Sequence, residues 1–165
     1  MAGTYSFDVV SEFDRQELIN AIDQVRRDVD QRYDLKGSKT EINIEEDSLT
    51  VITESEMTLK AVEDIIRQKA VKRNLSLKIF DFVDCEKVGG NRISQKVVLR
   101  RGLSQEVAKE LSKYVRDNIK KVTVAIQGQS LRVTGKNKDD LQSAINLLKK
   151  KENDLEIPLQ FENYR

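Results

Sequence analysis

One segment of this sequence occurs twice, and that repeat constrains the fold more than any other feature. The segment SLTVITESEMTLKAVEDIIRQK begins at Ser48, and SLRVTGKNKDDLQSAINLLKKK begins at Ser130, an offset of 130 − 48 = 82 positions. At that offset the apolar positions coincide within the segments and on both sides of them. The pairs include Leu49 with Leu131, Val51 with Val133, Leu59 with Leu141, Ile42 with Val124, and Leu77 with Leu159. This register indicates an internal duplication of one supersecondary unit.

Each copy of the repeat is typical of the order strand, helix, strand, strand, helix, strand. Alternating apolar residues predict strands, and apolar residues at helical spacing after the capping residues Asp14, Ser55 and Ser104 predict helices. The predicted strands are residues 5–10, 42–44, 49–53, 77–83, 96–100, 122–126, 131–134 and 157–161, with residues 84–94 as a polar connector. The pattern predicts an α+β fold: a tandem of two ferredoxin-like, RNP-like domains with antiparallel four-stranded sheets.

The sequence leaves open which sheet receives which first strand. Consecutive strands usually pair, so strand 96–100 can follow strand 77–83 into the N-terminal sheet. Strand 5–10 would then be free to enter the C-terminal sheet, and the two halves would exchange first strands. A plain tandem of two separate domains fits the residues equally well.

Composition excludes several classes of function. The chain of 165 residues has no histidine, so His-based catalytic triads and His metal sites are excluded. The single cysteine, Cys85, excludes an internal disulfide and fits a reducing compartment. No apolar run approaches the roughly 18 residues of a membrane span, and the N-terminal MAGTYSFDVV lacks the basic-then-apolar pattern of a signal peptide. We expect a soluble, cytoplasmic protein without a metal, a cofactor or a membrane partner.

Charge is distributed unevenly along the chain. Residues 1–66 contain 7 Lys and Arg against 16 Asp and Glu, whereas residues 67–151 contain 21 against 8. A basic segment of this size suggests a polyanionic partner. The alternative is that the acidic and basic segments attract each other.

Two polar loops carry the residue types that bind phosphate and stack on bases. The first, RYDLKGS, contains Arg32, Tyr33 and Lys36; the second, after Gly89-Gly90, contains Arg92 and Lys96 and leads to Arg100. Guanidinium groups both clamp phosphates and stack on bases, so these residues form the predicted nucleotide-binding set: Arg32, Tyr33, Lys36, Arg92, Lys96 and Arg100. Each loop is also compatible with a purely connecting role.

Alternation along the strands predicts polar, basic faces on the sides of the sheets away from the helices. In the C-terminal half, Thr123, Ala125 and Arg132 point to that side, whereas Ile126 points to the helices. Phe80 and Phe82 are the aromatic candidates for base stacking, although packing against the other domain fits them as well. Nothing in the residues indicates catalysis, so we expect no enzymatic activity.

Three strings resemble the bacterial YajQ family: SFDVVSEFDRQELINAIDQ, RYDLKGSK and GGNRISQKVVLRRGLSQEVAKELSKYVRD. The resemblance extends from Tyr5 to Arg165. It implies tandem ferredoxin-like domains that exchange their N-terminal strands. The predicted domains are then residues 11–101, including strand 96–100, and residues 1–10 with 102–165. One departure is Leu35, where the family usually has an aromatic residue, which predicts the loss of a stacking surface.

The resemblance also implies nucleotide binding. Some family members are described as cyclic di-GMP receptors that act through a transcription factor, and nucleotide or tRNA binding is attributed to others. The leading hypothesis is a nucleotide-binding protein without catalytic activity, acting as a cyclic di-GMP effector through a protein partner. The alternatives are an RNA- or tRNA-binding protein and a protein-interaction scaffold.

Overall fold

The computed structural model describes residues 4–165; residues 1–3, which the predicted second domain includes, lie outside the described residues. Within residues 4–165 the strands are β1 (Tyr5–Val10), β2 (Glu41–Ile44), β3 (Ser48–Thr53), β4 (Phe80–Phe82), β5 (Glu86–Val88), β6 (Arg92–Leu99), β7 (Val122–Gln127), β8 (Ser130–Gly135) and β9 (Gln160–Glu162). The helices are α1 (Arg15–Gln31), α2 (Glu56–Lys72), α3 (Gln105–Asn118) and α4 (Lys138–Lys151), with 3₁₀ turns at Leu77–Ile79 and Glu152–Asp154.

The strands form two antiparallel sheets with equivalent strand orders. One sheet has the order β2-β3-β6-β4, with β5 paired to the beginning of β6, and the other has the order β7-β8-β1-β9. The predicted fold class, α+β with tandem ferredoxin-like βαββαβ patterns, is confirmed. In each sheet the first-strand place is filled from the other half of the sequence, because β6 lies between β3 and β4 and β1 lies between β8 and β9.

The chain divides into two compact units. We call Phe13–Arg100 the N-unit, and residues 4–12 together with Arg101–Arg165 the C-unit. Each unit has its own apolar core between one side of its sheet and two helices. Fully buried residues are Leu18, Ile22, Leu49, Ile65 and Val97 in the N-unit, and Phe7, Val9, Leu111, Leu131 and Leu148 in the C-unit. The domain boundaries drawn from the sequence stay a prediction.

The helices begin where their capping residues predict. The side chains of Asp14, Ser55 and Ser104 accept hydrogen bonds from the backbone N–H groups three residues later, each at 3.2 Å. These bonds satisfy N–H groups that have no partner within the helix, so the caps fix the start of α1, α2 and α3.

Two predicted strands are only partly extended in the structure, because local hydrogen bonds override the strand pattern there. The Ser76 hydroxyl accepts a hydrogen bond from the Lys78 N–H at 3.2 Å, which bends Leu77–Ile79 into a 3₁₀ turn, so only Phe80–Phe82 of the predicted strand 77–83 is extended. Similarly, the Glu152 carboxylate accepts a hydrogen bond from the Leu159 N–H at 2.7 Å, and the strand predicted over residues 157–161 begins only at Gln160 and extends to Glu162.

The prediction that residues 84–94 form only a polar connector is wrong. Its residues form a hairpin in which β5 pairs with the first residues of β6. The turn is Gly89-Gly90-Asn91, and positive φ angles at Gly90 (79°) and Asn91 (58°) reverse the chain there. Strand β6 therefore begins at Arg92 instead of Lys96, which places Arg92 inside a sheet.

Charge is distributed unevenly along the sequence, but it is nearly balanced within each of the two units. The N-unit contains 16 Lys and Arg against 17 Asp and Glu, and the C-unit contains 13 against 11. Within the N-unit the two kinds of segment pair directly, as Lys69 Nζ lies 3.3 Å from Asp28 Oδ2 and Arg73 Nη1 lies 3.6 Å from Glu17 Oε2. In this unit the acidic and basic segments therefore attract each other, which is the alternative to a polyanionic partner that the sequence left open.

Candidate functional site

The loop of residues 32–40 is held firmly in the N-unit. The Leu35 side chain is only 2% exposed and joins the core, while the buried Ser38 hydroxyl donates to the Leu35 carbonyl at 2.6 Å. The backbone N–H groups of Leu35 and Lys36 both donate to the Arg32 carbonyl, at 3.1 and 2.8 Å. Because position 35 lies in the core, Leu35 does not remove an exposed stacking surface, and that expectation is wrong.

The same loop presents an aromatic ring and two cations to solvent. Tyr33 is 91% exposed, and the Lys36 ammonium lies 5.4 Å from the centroid of its ring. The Arg32 guanidinium forms two hydrogen bonds of 3.3 Å with the Asp34 carboxylate, which offsets part of its charge. The structure thus brings Arg32, Tyr33 and Lys36 together on one loop.

Arg92 fixes this loop from the neighbouring sheet. At the start of β6, its guanidinium donates to the carbonyl oxygens of Lys39 and Ile52, and lies 3.5 Å from the Ser38 carbonyl oxygen. The two loops singled out in the sequence therefore meet at this point. Because its donors are directed to backbone carbonyls, Arg92 positions the loop instead of presenting a free phosphate clamp.

Lys96 and Arg100 lie progressively farther along the chain. Lys96 is exposed on the side of β6 away from the helices, opposite Thr50 of β3. Arg100 donates to the Lys78 carbonyl at 3.2 Å and lies 3.5 Å from Asp81 Oδ1. Extended chain places the Cα atoms of Arg92 and Arg100 about 26 Å apart, so the six predicted residues are not gathered into one pocket.

Phe80 and Phe82 do not lie on the open face of the sheet. They pair with Leu99 and Val97 across β6, on the side that packs against the helices. Phe80 is 5% exposed, and the Arg67 guanidinium carbon lies 4.4 Å from the centroid of Phe82. The expectation that these rings lie on the open face, where a base could stack on them, is therefore wrong; they pack within the N-unit itself.

The open face of the C-unit sheet is built around a carboxylate. Asp8, whose side chain is 9% exposed, accepts hydrogen bonds from Arg132 at 2.9 and 3.3 Å and from Asn163 at 2.9 Å. The Arg132 hydrogen bonds, reinforced by Asn163 and opposed by burial, hold the pKa of Asp8 below its ordinary value. Arg132 does point to this face as predicted, but its charge is paired with the Asp8 carboxylate. Ile126, predicted to face the helices, is 44% exposed.

A cleft of about 410 Å³ in the C-unit collects residues that the sequence did not single out. Two tyrosines and two cations lie around it: Tyr5, Tyr164, Lys138 and Arg165. Tyr164 is 63% exposed, and the Lys138 ammonium lies 5.2 Å from the centroid of Tyr5. Tyr5 and the Tyr164–Arg165 pair belong to opposite ends of the sequence, and the short segment after Pro158 offered no motif that could have identified them.

Two other clefts have different chemistry. A 540 Å³ cleft in the C-unit is lined by Lys121 and Lys136 but also by Asp140. A 420 Å³ cleft in the N-unit contains Cys85 and Gln95, together with the carboxylates of Glu56, Glu63 and Asp84.

Among residues 4–165, no three Cys, Asp or Glu side chains are placed to hold a metal ion. Across the same residues, no helix is both long enough and apolar enough to cross a bilayer.

Comparison with known families covers nearly the whole chain. A family model described as "Nucleotide-binding protein YajQ-like" matches residues 5–165. The chain belongs to the YajQ family. Similar proteins include one from Synechococcus sp. strain CC9605, 70% identical over 165 residues, and one from Prochlorococcus marinus strain NATL1A, 67% identical over 165 residues. A third, from Prochlorococcus marinus strain AS9601, is 56% identical over 165 residues, and each alignment covers 100% of both chains.

These YajQ relatives are named nucleotide-binding proteins. Family membership confirms the resemblance drawn from the three sequence strings. It assigns no ligand contact to any of the residues described above.

Proposed function

We propose that this YajQ-family protein binds a nucleotide and does not transform it. The observation that carries the proposal is the 32–40 loop, in which an exposed Tyr33 ring stands beside the Arg32 and Lys36 cations on a backbone fixed from within the core. A base stacks on an aromatic face, and a phosphate is attracted by neighbouring cations. The names of the YajQ relatives support the same ligand class.

The six residues predicted from the sequence have different roles in this proposal. Tyr33 contacts the base, and Arg32 and Lys36 contact phosphate. Arg92 positions the loop through its hydrogen bonds to the Lys39 and Ile52 carbonyls. Lys96 supplies positive charge on the open face, whereas Arg100 is held at the far end of β6 near Asp81 and contributes least.

We further propose that the ligand is a cyclic dinucleotide such as cyclic di-GMP, and that the protein acts as a cytoplasmic effector through a protein partner such as a transcription factor. The support for this step is the family resemblance alone. RNA or tRNA binding is the competing function, and Tyr33 would serve it equally well by stacking on an unpaired base.

Thermal unfolding in the presence of single nucleotides tests the proposal. Cyclic di-GMP, GTP and ATP are each titrated against the protein, and a ligand that prefers the native state raises Tm. Tyr33→Leu and Lys36→Ala should each reduce the rise, whereas Lys60→Ala, an exposed cation elsewhere in the N-unit, should leave it unchanged. No Tm rise with any of the three ligands would overturn the proposal.

Salt dependence separates the two ligand classes. A cyclic dinucleotide has two phosphates, so its affinity should fall modestly between 50 and 200 mM salt. A bound tRNA releases many counterions and should lose affinity far more steeply over the same range. Binding of tRNA that is unaffected by excess cyclic di-GMP would favour the RNA function.

A further inference from the structure

We propose that the 410 Å³ cleft of the C-unit is a second nucleotide site, independent of the 32–40 loop. Tyr5 and Tyr164 would contact the base, and Lys138 and Arg165 would contact the phosphate. This inference rests on the proposed function, since it names another site for the same class of ligand.

Backbone pairing builds one wall of the cleft. The Ser6 N–H donates to the Arg165 carbonyl at 3.1 Å, and the Arg165 N–H donates to the Ser6 carbonyl at 3.0 Å. These reciprocal bonds bring the Tyr164–Arg165 pair beside the Tyr5–Ser6 pair. Asn163, at a φ of 55°, turns the chain into this position and is held by its 2.9 Å bond to Asp8.

The Tyr164 ring packs against the Phe7 ring and is otherwise largely exposed to solvent. Its centroid lies 6.2 Å from that of Phe7, which is completely buried, with the two ring planes tilted by 31°. Phe7 in turn contacts Phe161 edge to face, with centroids 5.9 Å apart. A ring that is packed on one side and 63% exposed overall is ordered in advance for contact with a planar ligand.

One face of α4 forms the opposite wall. Lys138, Leu141, Gln142 and Ile145 line the cleft, and their spacing places them on one face of the helix. Leu141 and Ile145 are 7% and 6% exposed and form an apolar floor, while Lys138 and Gln142 are exposed. Apolar lining with a few polar groups, and a volume within the range of roughly 300–1,000 Å³, is typical of small-molecule sites.

The charge of the lining selects an anion. None of the described lining residues is Asp or Glu, and the cations Lys138 and Arg165 are both present. The N-unit cleft has three carboxylates and one cation, Lys60, in its lining, and this excess of negative charge would repel the same group. Asp8 lies near enough to Arg165 to offset part of its charge, whereas Lys138 stands beside the Tyr5 ring. Rings, an apolar floor and two cations together match a nucleotide better than they match free phosphate or an uncharged base.

Calorimetric titration with cyclic di-GMP, GTP and ATP, each in turn, tests the cleft. We expect two sites per chain for the wild type with at least one of these ligands. Lys138→Ala/Arg165→Ala and Tyr164→Leu should each reduce the count to one, or weaken one site about 10-fold. Gln142→Trp fills the cleft without removing these groups and should have the same effect. All four positions are exposed, so Tm should stay within a few degrees of the wild type.

Matched variants separate the two sites and the two proposals. Lys150→Ala, an exposed cation at the other end of α4, should leave both sites intact, and Tyr33→Leu should abolish only the loop site. Guanosine and inorganic phosphate should each bind the cleft more weakly than GTP. A wild-type protein that binds nucleotide, together with cleft variants that keep its site count and affinities, would overturn this inference alone. A wild type that binds none of the three ligands would overturn the proposed function as well.

Discussion

The Arg132 guanidinium donates two hydrogen bonds to the Asp8 carboxylate, from Nε to Oδ1 at 2.9 Å and from Nη2 to Oδ2 at 3.3 Å. Asp8 lies in β1 and Arg132 lies opposite it in β8. The bond therefore joins the first strand of the chain to the sheet made mostly by residues after 100. A strand exchanged from the other half of the sequence is thereby held by a charged pair as well as by backbone bonds.

Replacing Asp8 by Asn should destabilise the protein by about 2 kcal/mol at pH 7, since hydrogen bonds to charged groups are lost in a buried position. The folded pKa of Asp8 lies below the ordinary aspartate value of about 3.9, so its contribution is complete above that pH and disappears as pH falls through the lower, folded value. Urea denaturation from pH 7 to pH 2.5 measures the difference between the two proteins.

Asp117→Asn, an exposed carboxylate near the end of α3, is the control and should change stability by less than about 0.5 kcal/mol. A difference between wild type and Asp8→Asn that stays constant down to pH 2.5 would contradict the assignment.

Leu35→Ala should cost about 2–5 kcal/mol, the usual range for removing a buried leucine side chain from a core. The same truncation at Met57, which is 83% exposed, should be nearly neutral. Chemical denaturation distinguishes them. Equal, small effects would mean that the 32–40 loop is not anchored through Leu35.

Arg92→Met should loosen the 32–40 loop, because the Lys39 and Ile52 carbonyls lose their guanidinium partner. Amide hydrogen exchange at residues 36–41 should become faster and Tm should fall. The sequence predicted a phosphate-binding role for Arg92, whereas its contacts indicate a role in holding the loop. Lys96→Ala on the same strand should leave both exchange and Tm unchanged; a parallel loss there would point to a general effect on β6.

Gly102→Ala should destabilise the C-unit by about 1–2 kcal/mol. Gly102 has a φ of 79°, and a Cβ atom there would lie 2.5 Å from Gln129 Oε1. Gly89→Ala is the comparison, since nothing lies within 4 Å of its Cβ position and its φ is not in the strained range. Thermal unfolding of the two variants should differ by several degrees, and equal Tm values would refute the strain at position 102.

Local signals in the sequence predicted the elements well. Caps and apolar spacing located α1, α2 and α3 because each depends on residues within one or two turns of the chain. The errors arose where a nearby side chain or turn decided the outcome: Ser76 bends residues 77–79, and Gly90 with Asn91 turns what looked like a connector into a hairpin.

The candidate site was less accessible to prediction. Arg92 was chosen for its charge, but which atoms its guanidinium meets depends on a hairpin register that the sequence did not reveal. Tyr5 and Tyr164 become neighbours only through the pairing of Ser6 with Arg165, a contact between the two ends of the sequence. Such long-range neighbours have no local pattern.

The placement of β1 and β6 sets a limit on how this protein can be divided. A gene split within Gly89-Gly90-Asn91, between the two copies of the repeat, would yield two fragments that each lack an interior strand of their own sheet. Each fragment would carry the piece missing from the other, so we expect them to be insoluble apart and to recover structure by complementation when expressed together. Neither copy of the duplicated sequence can therefore be transplanted alone into another protein.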